Sequence, residues 1–319
     1  MRIFRALHEI PAGFGPTVAS IGNFDGVHCG HQWLLAEIQR SAVDLDAKSV
    51  AVTFDPHPSR VLRPAAAPRL ITPMPERLAL LEKSGIDAVL VLPFTEQLCR
   101  MSGPDFVTAI LRDALHAAEV HEGDNFRFGH RAQCGADDLV AMGHDLGFRV
   151  RIFTPRYLRG IQVSSSKVRD LLQAGELSTA RALLGRPFGI RSTPASGRGI
   201  GHRLTVPTIN LAPYDELLPA NGVYVTRMTI AGETFDAVTN AGNRPTFGED
   251  SYAVESYLLN YDPAANPLTL TTETPVELTF LHRLREERKF PSPEALKAQI
   301  MQDVSKAKRY FHLARLFQK

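Results

Sequence analysis

The sequence predicts an α/β protein of two domains: an N-terminal open parallel sheet covered by helices, then a small β-barrel or sandwich that ends in a long helix. Three observations carry that expectation. The chain has 319 residues, and at roughly 150 residues per domain that is about two domains. Its first half alternates short apolar, β-branched runs with amphipathic helical patterns. From about Pro187 the texture changes to closely spaced strand-like runs separated by Pro and Gly turns.

Taken in order, residues 18–21 read as a first strand, followed after a Gly-rich turn by a helical pattern over 31–43. Residues 50–54 and 88–92 are the second and third strands. A helix over 104–115, a strand over 118–121, a helix over 136–146 and a strand over 149–153 complete the half. Near-continuous apolar runs between amphipathic helices are the mark of a parallel sheet buried on both faces. Such a sheet takes ligands outside the carboxyl ends of its strands. In the second half, strands over 222–230 and 234–240 flank Ala231-Gly232-Glu233 as a hairpin, and residues 254–259 and 276–281 add two more. Ser292 as N-cap and Pro293 at the first helical position open the final helix, with Leu296, Ile300, Val304, Ala307 and Phe311 on one face. The break at Gly185-Arg186-Pro187 sets the domains at 1–186 and 187–319.

Composition excludes several classes. Hydrophobic residues make up 44% and charged residues 22%, so the chain is neither disordered nor of low complexity. The longest stretch without Asp, Glu, Lys or Arg runs over residues 10–24 and is broken by Pro11, Gly13, Gly15 and Pro16. A spanning helix needs about 20 apolar residues, so no membrane partner is expected. The N-terminus meets Glu9 and Pro11 too early for a secretory leader. A net charge of +2 argues against a dedicated nucleic-acid binder. Three cysteines, Cys29, Cys99 and Cys134, form no CxxC pair and suit a reducing compartment. These features predict a cytoplasmic protein with small-molecule substrates, monomeric or a weak homo-oligomer.

The most informative segment is Gly22-Asn23-Phe24-Asp25-Gly26-Val27-His28-Cys29-Gly30-His31, placed between the first strand and the first helix. Backbone N–H groups and the helix dipole favour an anion there, and glycines let a phosphate approach closely. His28 and His31, three apart around a glycine, can both serve one phosphate group. By itself His-x-x-His is as often a pair of solvated loop histidines, and zinc lacks a third ligand at metal-like spacing. The strand–turn–helix setting favours phosphate. Ser164-Ser165-Ser166-Lys167-Val168-Arg169, before a helix over 168–174, offers hydroxyls, N–H groups and cations for a leaving pyrophosphate, although a serine run there also reads as an N-cap. Phe54 to Pro58, stiffened by prolines at a strand end, offers an apolar wall suited to a flat ring, or is an ordinary loop closing the sheet. In the second half, Gly197-Arg198-Gly199-Ile200-Gly201 can cover phosphates or be a flexible turn. Thr208 and Asn210, two apart in an extended segment, put hard oxygen ligands on one side, as Mg²⁺ shared with nucleotide phosphates needs, although by themselves they read as a strand-edge Thr and Asn.

G-N-F-D-G-V-H-x-G-H, T-F-D-P-H-P, G-D-N-F-R-F-G and S-S-S-K-V-R, followed by P-T-I-N, N-R-P-T-F-G, V-E-S-Y-L-L and E-R-K-F, resemble the prokaryotic bifunctional riboflavin kinase/FAD synthetase family in order along nearly the whole chain. The resemblance implies an N-terminal nucleotidyltransferase domain that adenylylates FMN to FAD with release of pyrophosphate. It also implies a C-terminal β-barrel kinase domain that phosphorylates riboflavin to FMN with ATP. It makes Gly22, Phe24, Asp25, His28 and His31 part of the first ATP site, together with Asn125, Arg127, Ser164, Ser165, Ser166 and Arg169. His28 and His31 are then catalytic, and Phe54, Pro56, His57 and Pro58 contact flavin. In the kinase it implies ATP binding by Gly197, Arg198, Gly199, Gly201, Arg203 and Thr208, and a base at Glu255. Arg285, Glu287 and Phe290 cap the flavin. Ile200, His202 and Thr205 depart from the family's usual R-G-R-x-L-G pattern, which leaves a second reading open: FMN adenylyl transfer alone, with a degenerate flavin-binding kinase half. A tRNA-directed protein, the other class with such histidines, is disfavoured by the near-zero net charge.

Overall fold

A computed structural model describes residues 1–195, 208–243, 252–262 and 268–316 of the chain. Backbone packing divides it into two compact units, Met1–Ser165 and Ser166–Lys319.

The first unit is built on six parallel strands: β1 (Arg2–Phe4), β2 (Thr17–Ile21), β3 (Lys48–Asp55), β4 (Ala88–Pro93), β5 (Ala117–Gly123) and β6 (Arg149–Phe153). Their order is β1-β4-β3-β2-β5-β6. Alternate residues of each strand feed opposite cores, as the two-residue period requires. Ala19, Val50, Val52 and Leu90 face one cluster with Ile110 and Leu111, while Val18, Ala51, Val89 and Val91 face another with Leu35, Ile38 and Leu81. Helices α1 (Cys29–Asp44) and α3 (Met74–Lys83) cover the second face. The short α2 (Pro58–Leu62) and α4 (Glu96–Arg100) lie between strands. On the first face α5 (Gly103–Phe106) runs on as a π-helical stretch over Val107–Ala114, beside α6 (Ala136–Leu146). The expected helix over 104–115 is therefore wound more widely over most of its length. The expected elements omit β1, whose three residues bury only Phe4, and α3, although Leu78 and Leu81 carry its helical period. A two-strand hairpin, β7 (Tyr157–Leu158) and β8 (Ile161–Gln162), closes the unit.

The chain lays β2, β3 and β4 in one direction across the sheet and β5 and β6 in the other. Beside each other, β2 and β5 pair only from Thr17 to Ala19 and then diverge. Where their ladder ends, the Ile21 N–H donates to the buried Glu122 carboxyl at 2.5 Å. Burial holds that carboxyl well above the usual carboxylate range.

The second unit opens with α7 (Ser165–Gln173), which starts three residues before the expected helix, and α8 (Leu177–Leu184). Six antiparallel strands follow: β9 (Phe188–Ser192), β10 (Ile209–Asn210), β11 (Gly222–Ile230), β12 (Glu233–Asn243), β13 (Tyr252–Leu258) and β14 (Val276–Arg285). Their order is β10-β13-β12-β11-β14-β9. The two ends of that order meet, because Ala195 N donates to Asn210 O and Ala212 N to Thr193 O, each at 2.8 Å. Among the described residues these bonds close the sheet into a barrel rather than a sandwich. The β11–β12 turn is Ala231-Gly232, both at positive φ, the two-residue geometry that matches strand twist. The final helix, α9 (Pro293–Leu316), packs Val304, Ala307 and Phe311 on Val223, Val225 and Val238. Leu296, expected on that buried face, is instead 42% exposed and lines a cavity.

The unit boundary precedes the one read from sequence because α7 and α8 pack with the barrel: Ala220 N donates to Leu172 O at 2.9 Å, and Leu172 and Leu184 are fully buried. Inside the barrel, Thr226, Thr239 and Ser256 form a hydroxyl chain across three strands, with 2.7 Å between successive oxygens and no exposure. Thr239→Val keeps the shape but breaks both links, and is expected to destabilise this unit by about 1–3 kcal/mol. Thermal denaturation should show a lower midpoint for Thr239→Val than for Thr239→Ser.

Candidate active sites

Parallel strands put all their carboxyl ends on one edge of a sheet, and the crevice opens where the strand order reverses. That edge of the first unit gathers the loop after β2, the segment after β3 and the turn after β5. His28 is the N-cap of α1, its Nδ1 accepting from the His31 N–H at 3.3 Å. The two imidazoles stack with centroids 3.6 Å apart and planes 14° from parallel. A Cβ on Gly30 would lie 3.2 Å from the His28 ring, so glycine there leaves room for the stack. Phe24, buried in the core beneath α1, meets His31 edge-on at 5.2 Å.

His31 Nδ1 is buried without a hydrogen-bond partner. Burial lowers the His31 pKa well below 6.5, and the His28 and Arg77 charges lower it further. The ring is thus neutral near pH 7, stacked on a second histidine at a helix N-terminus, where the helix dipole favours an anion.

The Asp25 side chain is turned to the protein: it accepts from Ile71 N at 3.1 Å and Thr72 N at 2.9 Å, with Arg77 3.9 Å away. Its backbone carbonyl accepts from Ser165 Oγ at 2.8 Å, a contact that holds the end of the first unit's chain to the histidine loop. Asp25 therefore anchors this loop, and Gly26, donating to Thr72 Oγ1 at 2.8 Å, anchors it again. Gly22 continues β2 by donating to Val52 O at 2.9 Å. After β3, Phe54 is half-buried against Phe94, Pro56 is exposed, and His57 caps α2 by accepting from Ser59 N at 3.2 Å, with Pro58 at the first helical position. After β5, Asn125 and Arg127 are exposed, and the Arg127 guanidinium lies where a side chain on Gly135 would clash. Ser164 follows the hairpin; Ser165, Ser166 and Arg169 belong to α7.

The second unit holds a cavity of about 790 Å³ whose walls include Thr208, Glu255, Arg285, Glu287 and Phe290. Five site residues read from distant stretches of sequence thus share one wall. Register explains part of this. Asn210 on β10 pairs with Glu255 on β13, which pairs with Asn240 on β12. Directly opposed residues point to the same face, so these three polar side chains form a row. Asn240 Nδ2 donates to Glu287 Oε1 at 3.5 Å, and Gly242 leaves room for that carboxylate. Sequence reasoning missed Asn240, Tyr257, Arg283 and Asp303, which also line the cavity. Asn240 was legible in principle, since it stands in the same run as the N-R-P-T-F-G motif; Asp303 on α9 carried no signal. Gly197, Arg198, Gly199, Gly201 and Arg203, and the departures Ile200, His202 and Thr205, lie outside the described residues.

Comparison with known proteins gives both halves their class. A family model described as FAD synthetase matches residues 11–167, and one described as riboflavin kinase matches residues 184–311. The chain is therefore a fusion of two flavin-processing transferases. A protein of Pseudomonas fluorescens described as bifunctional riboflavin kinase/FMN adenylyltransferase is 36% identical over 309 residues, 97% of each chain. Proteins of the same description from Haemophilus influenzae and Escherichia coli K12 are each 30% identical, covering 98% and 99% of this chain and 100% and 99% of their own. A crystal structure described as a macrolide-efflux protein from Streptococcus pneumoniae shares the fold, with a TM-score of 0.83 at 25% identity over 96% of this chain and 98% of that one. The chain belongs to the bifunctional riboflavin kinase/FMN adenylyltransferase family. It makes FMN from riboflavin and FAD from FMN, and the reading with adenylyl transfer alone gives way to this one. Among the described residues no helix is long and apolar enough to cross a membrane.

The depressed His31 pKa has a consequence for stability. Below pH 6.5 the unfolded chain takes up a proton that folded His31 resists. Stability is therefore full above that pH and falls as pH drops through it toward the folded value. Urea denaturation of the ligand-free protein should show a smaller loss between pH 7 and pH 5.5 for His31→Asn than for the unsubstituted chain.

Proposed function

We propose that adenylyl transfer runs at the carboxyl edge of the parallel sheet and riboflavin phosphorylation in the barrel cavity. In the first reaction an FMN phosphate oxygen attacks the α-phosphorus of ATP, the bond to the bridging oxygen breaks, and pyrophosphate leaves. His28 and His31 donate to the α-phosphate and offset the charge that builds on it. Gly22 and the neighbouring backbone allow close approach, Phe24 packs His31 in place, and Asp25 acts through the loop it anchors. Asn125 and Arg127 contact the nucleotide, and Ser164, Ser165, Ser166 and Arg169 take the leaving pyrophosphate on the family pattern. Phe54, Pro56, His57 and Pro58 form the flavin wall. The observation that carries this reading is the stacked histidine pair at the N-terminus of α1.

In the second reaction Glu255 takes the proton of the riboflavin 5′-hydroxyl as that oxygen attacks the γ-phosphorus, and ADP leaves. Arg285, Glu287 and Phe290 hold the flavin, and Gly197, Arg198, Gly199, Gly201, Arg203 and Thr208 serve ATP. The Thr208 hydroxyl and the Asn210 amide oxygen are hard donors that fit Mg²⁺, an ion that keeps few protein ligands when it is shared with phosphates. When bound, Mg²⁺ neutralises charge on the transferred phosphoryl group. We place the enzyme in the cytoplasm, with domains 1–186 and 187–319, small molecules as its partners, and a monomer or weak homo-oligomer as its state. The three free cysteines support the compartment.

His28→Ala should lower FAD formation by at least about 100-fold while riboflavin phosphorylation continues. Glu255→Ala should do the reverse, lowering FMN formation by about 10²–10⁴-fold. Separate assays of the two products decide it: loss of both activities in either folded variant contradicts two independent sites.

A further inference from the structure

Helix α9 carries a polar cluster on the cavity wall to which the chemistry above gives no task. Asp303 is only 1% exposed, yet both carboxylate oxygens are engaged. Oδ2 accepts from Arg285 Nε at 2.9 Å, and Oδ1 accepts from Gln299 Nε2 at 2.9 Å. Gln299, one helical turn earlier and also buried, accepts through Oε1 from the Arg288 guanidinium. Arg285 NH1 is held in turn by the Glu286 carbonyl at 3.0 Å. Both guanidiniums then converge on one ring: Arg288 Cζ lies 5.0 Å and Arg285 Cζ 5.6 Å from the centroid of Phe290.

A buried ion pair is a poor way to fasten a strand to a helix, since packed apolar side chains of similar volume are as stabilising or more so. What it provides is direction. A planar guanidinium gripped along one edge keeps its orientation, and its face remains available to an aromatic ring. Phe290 borders the same cavity as Val223, Val238 and Ile300, an apolar lining that suits a large flat ligand. Thr208, Asn240 and Glu255 line the same cavity. Segment 285–290 has no helix or strand beyond Arg285, so its order must come from side chains.

We propose that Asp303 and Gln299 are positioning residues for riboflavin: they lock Arg285 and Arg288 against Phe290, so that the segment bearing this ring is already set to receive the isoalloxazine. This rests on the assignment of the cavity to riboflavin. Asp303 acts through Arg285, and through Gln299 on Arg288, so its effect falls on flavin affinity and not on the phosphoryl-transfer step. The same chain supplies a control, because adenylyl transfer does not draw on this cavity.

The test is steady-state riboflavin phosphorylation by full-length Asp303→Asn, Asp303→Glu and Phe290→Ala, with FMN adenylylation measured on the same preparations. Asp303→Asn should raise the riboflavin KM about tenfold and change kcat by less than about twofold, leaving FMN adenylylation intact. Asp303→Glu should recover part of the KM. An unchanged KM in Asp303→Asn, or a fall in kcat at constant KM, overturns the proposal. Should Asp303→Asn misfold, Arg288→Ala decides: this exposed residue carries one arm of the lock, and an unchanged riboflavin KM there is equally fatal. Phe290→Ala separates the two layers of the argument. If it leaves the KM unchanged, the flavin assignment itself is wrong; if it raises the KM while Asp303→Asn does not, only the lock is wrong.

Discussion

Between β2 and β5 the parallel sheet changes direction, and the adenylyl-transfer half is arranged around that change. Helix α1 leaves the end of β2 and covers one face, while the turn after β5 leads to the helix on the other. In open sheets of this kind a ligand crevice forms where the strand order reverses. The strands part after Ala19, and the unpaired Ile21 N–H would be a buried orphan if Glu122 did not accept from it. The histidine loop begins at the next residue. Its shape is then held by Asp25 and Gly26 against residues 71 and 72, which leaves His28 free to cap α1. The stacked imidazoles are the outcome of that chain of constraints.

The kinase half solves a different problem. Its cavity lies on the barrel face that packs against α9, since its walls include Val223 and Val238, which pack on that helix. Strands β10, β13 and β12 bring Asn210, Glu255 and Asn240 into line, and α9 with the segment after β14 raises a rim around them. The even period of the strands sorts the rest. Glu255 faces the cavity while its neighbour Ser256 faces inward to complete the buried hydroxyl chain with Thr239 and Thr226. Moving β13 by one residue would exchange those two side chains, removing Glu255 from the cavity and burying a carboxylate.

The sequence was most legible where local rules are strict. The strands over 88–92 and 149–153, the helix over 136–146 and the N-terminus of α9 at Pro293 appear within a residue of where apolar runs and capping residues put them. The histidine loop was legible because three glycines and two histidines between a strand and a helix serve few other purposes. Legibility failed where tertiary context overrides local pattern. Leu296 fits the apolar stripe of α9 but sits beyond the barrel, so it borders a cavity instead of a core. Helices α7 and α8 lie before the Pro187 break in texture yet pack with the barrel, because their leucines are buried there. Asp25 reads as one of the ATP-binding loop residues, yet its carboxylate faces residues 71 and 72.

The sequence by itself determined that this chain has two domains of different class, a glycine-rich turn carrying His28 and His31 between a strand and a helix, and an order of motifs that resembles one family along nearly the whole chain. These follow from short-range chemistry: period, capping and the few residue types that tolerate a phosphate. Only the tertiary structure decided which side chains share a site. Asn240 beside Glu255, Glu122 beneath the histidine loop, and Asp303 gripping Arg285 are contacts between residues far apart in the chain or on different elements. Strand order, register and helix docking create them, and no local pattern encodes those three.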